Sequence, residues 1–82
     1  MINVDIFVPT VNRTYNCKVD EDSRISLLVE ELTELISKKE RNTLKGNQNQ
    51  LILGSVDKGM IFDRAHSLRE YSVKNGETLV LV

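Results

Sequence analysis

The sequence contains little cysteine, histidine, proline or aromatic residue. Its 82 residues include one cysteine, one histidine, one proline, two phenylalanines, two tyrosines and no tryptophan. A single cysteine excludes an intramolecular disulfide and a multi-cysteine zinc site, which is consistent with a reducing compartment. No apolar run approaches the roughly 20 residues that span a bilayer, and the first residues lack the basic and apolar regions of a signal peptide. We therefore expect a cytoplasmic protein without direct membrane insertion.

Strong charge of either sign is also missing. The 11 basic and 12 acidic residues give a formal net charge of −1. Such a balance supplies no field that would favour nucleic acid or an anionic membrane as a partner. A chain of this length buries only about 60 to 65% of its unfolded surface, which is enough for one core but not for a deep catalytic cleft. We expect a single domain over residues 1–82.

The first half of the chain has the periodicity of a hairpin followed by a helix. Apolar residues alternate with polar ones over residues 2–8 and again over 15–19, which predicts two paired strands. Asp20–Ser23 follows, where a helix N-terminus favours acidic and capping side chains. The helix predicted after it carries one apolar stripe, which consists of Ile25, Leu28, Val29, Leu32, Leu35 and Ile36.

The second half contains shorter elements separated by turns. In chain order they are a polar loop over 41–50, a strand at Leu51–Leu53, a short strand at Met60–Phe62, a capping box at Ser67–Glu70 that opens a helical turn, a tight turn at Asn75–Gly76 and a strand at Thr78–Val82. The whole order is strand, strand, helix, strand, short strand, helical turn, strand.

This order, with local motifs, resembles a ubiquitin-like β-grasp domain. Ile6–Val8 is similar to the first strand of ubiquitin, Leu51–Gly54 to its third strand and Leu68–Tyr71 to its short helical turn. The resemblance implies an α+β fold in which a mixed sheet of four to five strands wraps around one main helix. The predicted core is Val4, Ile6, Tyr15, Val19, Leu51, Leu53, Leu68, Leu79 and Leu81, together with the helix residues Ile25, Leu28, Val29, Leu32 and Ile36.

Within this superfamily the chain is most similar to the YukD-like proteins, which accompany type VII secretion systems of Gram-positive bacteria. The similarity is carried by Asp57–Phe62, by Val73–Glu77 and by the lack of a diglycine after Val82. It implies a non-enzymatic accessory or regulatory protein that does not undergo conjugation. The implied partner is another protein, either a membrane component or an ATPase of the secretion apparatus.

One alternative function uses the same fold. A sulfur carrier or protein modifier activates a C-terminal diglycine, so this reading requires that the diglycine was trimmed from the sequence. The native gene beyond Val82 distinguishes the two readings, because an extension that ends in Gly-Gly would restore the carrier function.

The residues of types that are common in catalytic and metal sites have structural explanations in this sequence. Cys17 alternates with buried positions, where a thiol behaves as a small hydrophobic group rather than as a nucleophile. His66 lies in a polar turn without a second histidine to complete a metal site. Asp20–Asp22 lacks the ligand spacing of a calcium loop, and we attribute it to helix capping. We expect no catalytic residue, no cofactor and no metal ion.

The remaining candidate is an apolar surface. If Val4, Ile6 and Val8 face the helix, then Phe7 faces the opposite side of the sheet. The resemblance to ubiquitin puts Ile52 and Val80 on that same side. Such a cluster would be a protein-binding site. The alternative is that these three are ordinary strand residues, since monomers tolerate isolated exposed apolar side chains.

Overall fold

The computed structural model describes residues 1–40 and 51–82, so the predicted loop over 41–50 lies outside the described residues. In chain order the elements are β1 at Ile2–Val8, β2 at Arg13–Val19, α1 at Ile25–Glu40, β3 at Leu53–Ser55, β4 at Met60–Ile61 and β5 at Thr78–Leu81. Among the described residues, no helix combines the length and apolar character needed to cross a membrane.

The strands form one mixed sheet in the order β2-β1-β5-β3-β4. The β1 and β5 strands are parallel, while each of the other neighbouring pairs is antiparallel. The last strand, β5, is therefore the central strand, and the first strand, β1, lies beside it. The α1 helix packs against one face of the sheet. This arrangement confirms the predicted α+β, β-grasp fold.

The hairpin of β1 and β2 follows its predicted pattern. Val4, Ile6 and Val8 are buried, whereas the residues between them are at least partly exposed. In the connecting turn, the Val11 N–H donates to the Val8 carbonyl at 3.2 Å. Asn12 has a φ of 51°, a left-handed conformation that asparagine tolerates better than most residues. The turn therefore ends one residue before β2.

The α1 helix buries its stripe as the spacing predicts, with one exception. Leu35 is 42% exposed, whereas Leu32 is 4% exposed and Ile36 is fully buried. At about 100° per residue, Leu35 lies at the border of the stripe rather than at its centre. Leu35 was placed on the apolar stripe but not in the predicted core, and its exposure agrees with its absence from that core.

The helix begins differently from the prediction. Its first two N–H groups, on Ile25 and Ser26, donate to the backbone carbonyls of His66 and Arg64 at 2.9 and 3.0 Å. The orphan donors of a helix N-terminus are therefore satisfied by a distant loop rather than by side chains of Asp20–Ser23. The assignment of this acidic run to helix capping is wrong.

The short elements of the second half are shifted or reduced. The β3 strand begins at Leu53 rather than at Leu51, although Ile52 and Val82 exchange two backbone hydrogen bonds. The Ser67 hydroxyl accepts the Glu70 N–H at 3.3 Å, as the capping box predicts, and the chain then forms hydrogen-bonded turns.

The predicted core is largely confirmed. Most of its members are less than 6% exposed, whereas Tyr15 and Leu51 are only half-buried. Tyr15 lies on β2, which is an edge strand of the sheet, and Leu51 precedes β3. Val8 is buried beside Val4 and Ile6, whereas Phe62 and Val73 join the core although they were not assigned to it.

Candidate protein-binding site

The face of the sheet opposite α1, called here the outer face, contains the three predicted binding residues. Phe7 is paired with Val80 across β1 and β5, and both are half-buried. Ile52 lies beside Val82 at the next pair along, with its N–H 2.6 Å from the Val82 carbonyl oxygen. Since Leu53 and Leu81 point towards the core, pleat alternation turns Ile52 outward, where it is 40% exposed. The structure thus brings all three predicted residues together on one face.

Two further apolar residues extend this cluster. Ile61 pairs with Gly54 on the far side of β3 and is 69% exposed. Val82 follows Val80 at the same pleat parity and is 48% exposed. The apolar set, called the sheet patch below, consists of Phe7, Ile52, Ile61, Val80 and Val82.

The sequence contained a signal for one of the two missed residues. The outward orientation of Val82 could have been predicted, because Val82 follows Leu81 as Val80 follows Leu79. The β4 strand has two residues, which is too short for an alternating pattern to identify the outward position of Ile61.

Gly54 lies buried between two members of the sheet patch. It is paired with Val80 on one side and with Ile61 on the other. A Cβ atom at this position would lie 2.8 Å from the backbone carbonyl oxygen of Met60, closer than real Cβ atoms approach. Only glycine therefore fits without a shift of the β3–β4 pairing, which keeps Ile61 and Val80 in register on the outer face.

The part of the outer face near β2 is polar. Asp5 pairs with Asn16, whose amide donates to the Asp5 carboxylate at 3.1 Å. Thr14 and Lys18, which have the same pleat parity, are exposed. The apolar side chains are thus confined to one half of the outer face, from β1 to β4.

An ion pair closes the edge between β5 and the β3–β4 turn. The Lys58 ammonium lies 2.9 Å from Glu77 Oε1, and the Ser55 hydroxyl donates to Glu77 Oε2 at 3.3 Å. Burial tends to raise the pKa of Glu77, but the hydrogen bonds from Lys58 and from the Lys74 N–H outweigh it and hold the pKa below its ordinary value. This carboxylate is already engaged and fixes the turn beside the sheet patch.

The Cys17 side chain is 5% exposed and faces the core. Burial raises the pKa of its thiol, and the opposing effect of Lys39 is smaller. A thiol in this state is a poor nucleophile at neutral pH. Its burial fits the structural role expected from the strand pattern.

The acidic run is paired rather than open. The Arg69 guanidinium makes two hydrogen bonds to the Asp22 carboxylate, one of them at 3.2 Å between Nη2 and Oδ2. The Met1 ammonium lies 2.8 Å from Glu21 Oε1. These contacts lower the pKa of both carboxyl groups. Although the oxygens of Asp20, Glu21 and Asp22 lie within 4.8 Å of one another, two of the three already have cationic partners.

His66 lies on the surface of the turn that receives the helix N-terminus. Its Nδ1 contacts the Glu70 carboxylate, and its ring meets Tyr71 edge-on at 5.9 Å. Tyr71 also stacks on Phe62 at 4.6 Å, and its hydroxyl accepts the Asp63 N–H at 2.9 Å. The histidine is therefore one member of a packed turn, and its carbonyl oxygen contributes to the start of α1.

No protein-family model matches the chain, and no curated protein matches it in sequence. Several solved structures, however, are similar to the chain in fold. A chain of the MycP5-free ESX-5 inner membrane complex in State II superimposes with a TM-score of 0.83 at 19% identity, over 99% of this chain and 20% of that one. The protein thus spans about a fifth of the length of the ESX-5 chain.

Two ubiquitin-like domains give similar superpositions. The UBL domain of Plasmodium falciparum Dsk2 has a TM-score of 0.76 at 22% identity, covering 99% of this chain and 95% of that one. A ubiquitin-like domain from Arabidopsis thaliana has a TM-score of 0.73 at 17% identity, covering 99% and 74%. At these identities the likeness establishes the fold alone: the protein has the ubiquitin-like fold.

Proposed function

We propose that this protein is a non-enzymatic ubiquitin-like interaction module that binds another protein through the sheet patch. The observation that carries the proposal is the clustering of five apolar side chains on one half of the outer face, with Ile52 and Ile61 40% and 69% exposed. Clustered apolar residues with a polar margin are typical of interaction sites, whereas scattered ones are not.

The energetics of a small interface fit this patch. Ile52 and Val82 form adjacent anchors on one side of Gly54, and Ile61 forms another on the opposite side. These three side chains are 40%, 48% and 69% exposed, so a partner can contact all of them. Anchors of this kind contribute about 1 to 3 kcal/mol each, which suffices for specific binding when two or three act together.

The biological setting is the finer part of the proposal. We propose an accessory or regulatory role in a type VII, ESX-like secretion system of a Gram-positive bacterium, in the manner of the YukD-like proteins. The similarity to a domain-sized part of the ESX-5 inner membrane complex supports this setting. The partner would then be a membrane component or an ATPase of the apparatus, and the protein would act in the cytoplasm.

A substitution in the sheet patch tests the binding role. Ile52→Arg should leave the melting temperature nearly unchanged, because the side chain is already 40% exposed, and should abolish capture of the partner. The candidates for capture are any secretion-system membrane component or ATPase that the native gene neighbourhood encodes, each purified separately. Binding would be measured by biolayer interferometry.

Leu27→Arg is the matched control, since Leu27 on α1 is 45% exposed and lies away from the sheet. It should leave binding to the sheet patch intact. Capture that survives Ile52→Arg would refute the proposed site, and its loss in Leu27→Arg would assign binding to α1. A native gene neighbourhood without secretion genes would refute the setting while leaving the site untouched.

A further inference from the structure

The exposed side of α1 forms a second surface with a different chemistry. We propose that it binds a cationic amphipathic helix of a partner protein. This surface, called the helix face below, consists of Leu27, Glu30, Glu31, Glu34, Leu35 and Lys38, all of which are exposed. Because α1 covers the inner face of the sheet, the helix face lies on the opposite side of the molecule from the sheet patch.

Two leucines provide the apolar part of the helix face. Leu27 is 45% exposed and points about 180° around the helix axis from the fully buried Ile36. Leu27, Glu31 and Leu35 follow one another at a spacing of four residues, so they form one ridge along the helix. The two leucines are about 12 Å apart along the axis. Both leucines are exposed to solvent and do not belong to the core between α1 and the sheet.

The charges beside this ridge are mostly of one sign. Glu34 lies 3.7 Å from Lys38, whereas Glu30 and Glu31 form no ion pair within residues 1–40 and 51–82. Glu30 and Glu34 are also neighbours at i and i+4, where like charges repel. Three carboxylates therefore lie beside one ammonium group on this surface, so its charge is complementary to a cationic partner.

A helix is the occupant that matches this geometry. The groove between the ridge of Leu27 and the neighbouring ridge of Glu30 and Glu34 can accept a ridge of a second helix. A partner with apolar residues seven or eight positions apart has about the same rise as the two leucines. Lysine or arginine residues beside its apolar stripe would then meet the carboxylates. The same carboxylates repel anionic membranes and nucleic acids, which makes those surfaces unsuitable.

The direct test uses the full chain and two synthetic peptides of about 18 residues. One peptide carries leucines on a helical stripe with flanking lysines, and the other has glutamate in place of each lysine. Nitrogen–proton NMR spectra of the protein should show shifts confined to the amides of residues 27–38 with the lysine peptide. The glutamate peptide should cause none, and the affinity of the lysine peptide should fall as salt rises from about 50 to 500 mM.

Variants separate charge from packing. The double variant of Glu30→Lys and Glu31→Lys should lower the affinity for the lysine peptide at least about tenfold. It should bind the glutamate peptide instead. Leu27→Ser should lower the affinity for the lysine peptide to a similar extent but should not create binding of the glutamate peptide. Ile52→Arg is the matched control and should leave both affinities unchanged, so that failure here is distinct from failure of the sheet patch.

Three results of the peptide titrations would overturn the proposal. They are the absence of shifts in α1 with the lysine peptide, shifts centred on the outer face of the sheet, and equal binding of the two peptides. Binding of the wild-type chain to vesicles of anionic phospholipid that is lost in Leu27→Ser would also overturn it, since the surface would then recognise a membrane.

Discussion

Replacement of Leu32 by alanine tests the packing of α1 on the sheet. Leu32 is 4% exposed, so the change removes three buried carbon atoms. At about 0.8 kcal/mol for each buried methylene, the transfer of these atoms accounts for about 2.4 kcal/mol. The cavity left by incomplete collapse adds to this, and the usual total for a buried leucine is about 2 to 5 kcal/mol. A chain of this length has a total stability of about 4 to 12 kcal/mol, so the loss is a large share of it.

Leu35→Ala provides a control on the same helix. The two substitutions change helix propensity equally, but Leu35 is 42% exposed and leaves no enclosed cavity. We expect it to cost about 1 kcal/mol, roughly half the transfer value of a buried leucine. The difference between the two variants thus isolates the contribution of burial.

Urea denaturation followed by circular dichroism measures both changes. For a domain of this size each kcal/mol corresponds to about 4 to 8 °C in melting temperature, so thermal unfolding gives an independent value. A loss well under 1 kcal/mol for Leu32→Ala, or equal losses for the two variants, would show that the packed side of α1 is assigned incorrectly.

Three other predictions follow from single contacts. Gly54→Ala should destabilise the fold by about 1 to 3 kcal/mol in urea titrations, since an added Cβ forces the β3–β4 pairing to shift; an unchanged midpoint would contradict the close approach. Cys17 should react with a thiol reagent far more slowly in the native protein than in denaturant, because burial raises its pKa and blocks access; rapid native labelling would reopen a functional role. The Asp22 pKa lies below its ordinary value of 3.8 chiefly because of the hydrogen bond from Arg69, so this pair stabilises the fold above pH 3.8 and the contribution is lost as the pH falls through the lower, folded-state value. Arg69→Gln should return the Asp22 pKa towards 3.8 in an NMR titration of the carboxyl carbon, and an unchanged value would assign the shift to another cause.

The elements that were predicted from the sequence are those with enough residues to show a period. The seven residues of β1 and the 16 residues of α1 each repeat their pattern several times, so the buried side could be identified for both. Pleat parity then placed Phe7 on the outer face without any knowledge of the partner strands. Ile61 could not be placed in this way, because β4 contains two residues.

The start of α1 could not be predicted from local sequence. Its first N–H groups bond to the carbonyls of Arg64 and His66, which lie about 40 residues further along the chain. Nothing near Asp20–Ser23 indicates that a distant loop replaces side-chain caps there. The acidic residues instead pair with Arg69, a contact that exists only after the chain has folded.

The positions of the two proposed surfaces make them separable by experiment. The sheet patch and the helix face lie on opposite sides of a single layer of core residues, so one partner does not cover both. Substitutions at Ile52 and Leu27 share no neighbouring side chain, and their effects on stability should add. A protein that occupies one surface leaves the other open, which allows the domain to join two partners. Addition of the lysine peptide should therefore leave capture through the sheet patch unchanged, and competition between the two ligands would show that they share a surface.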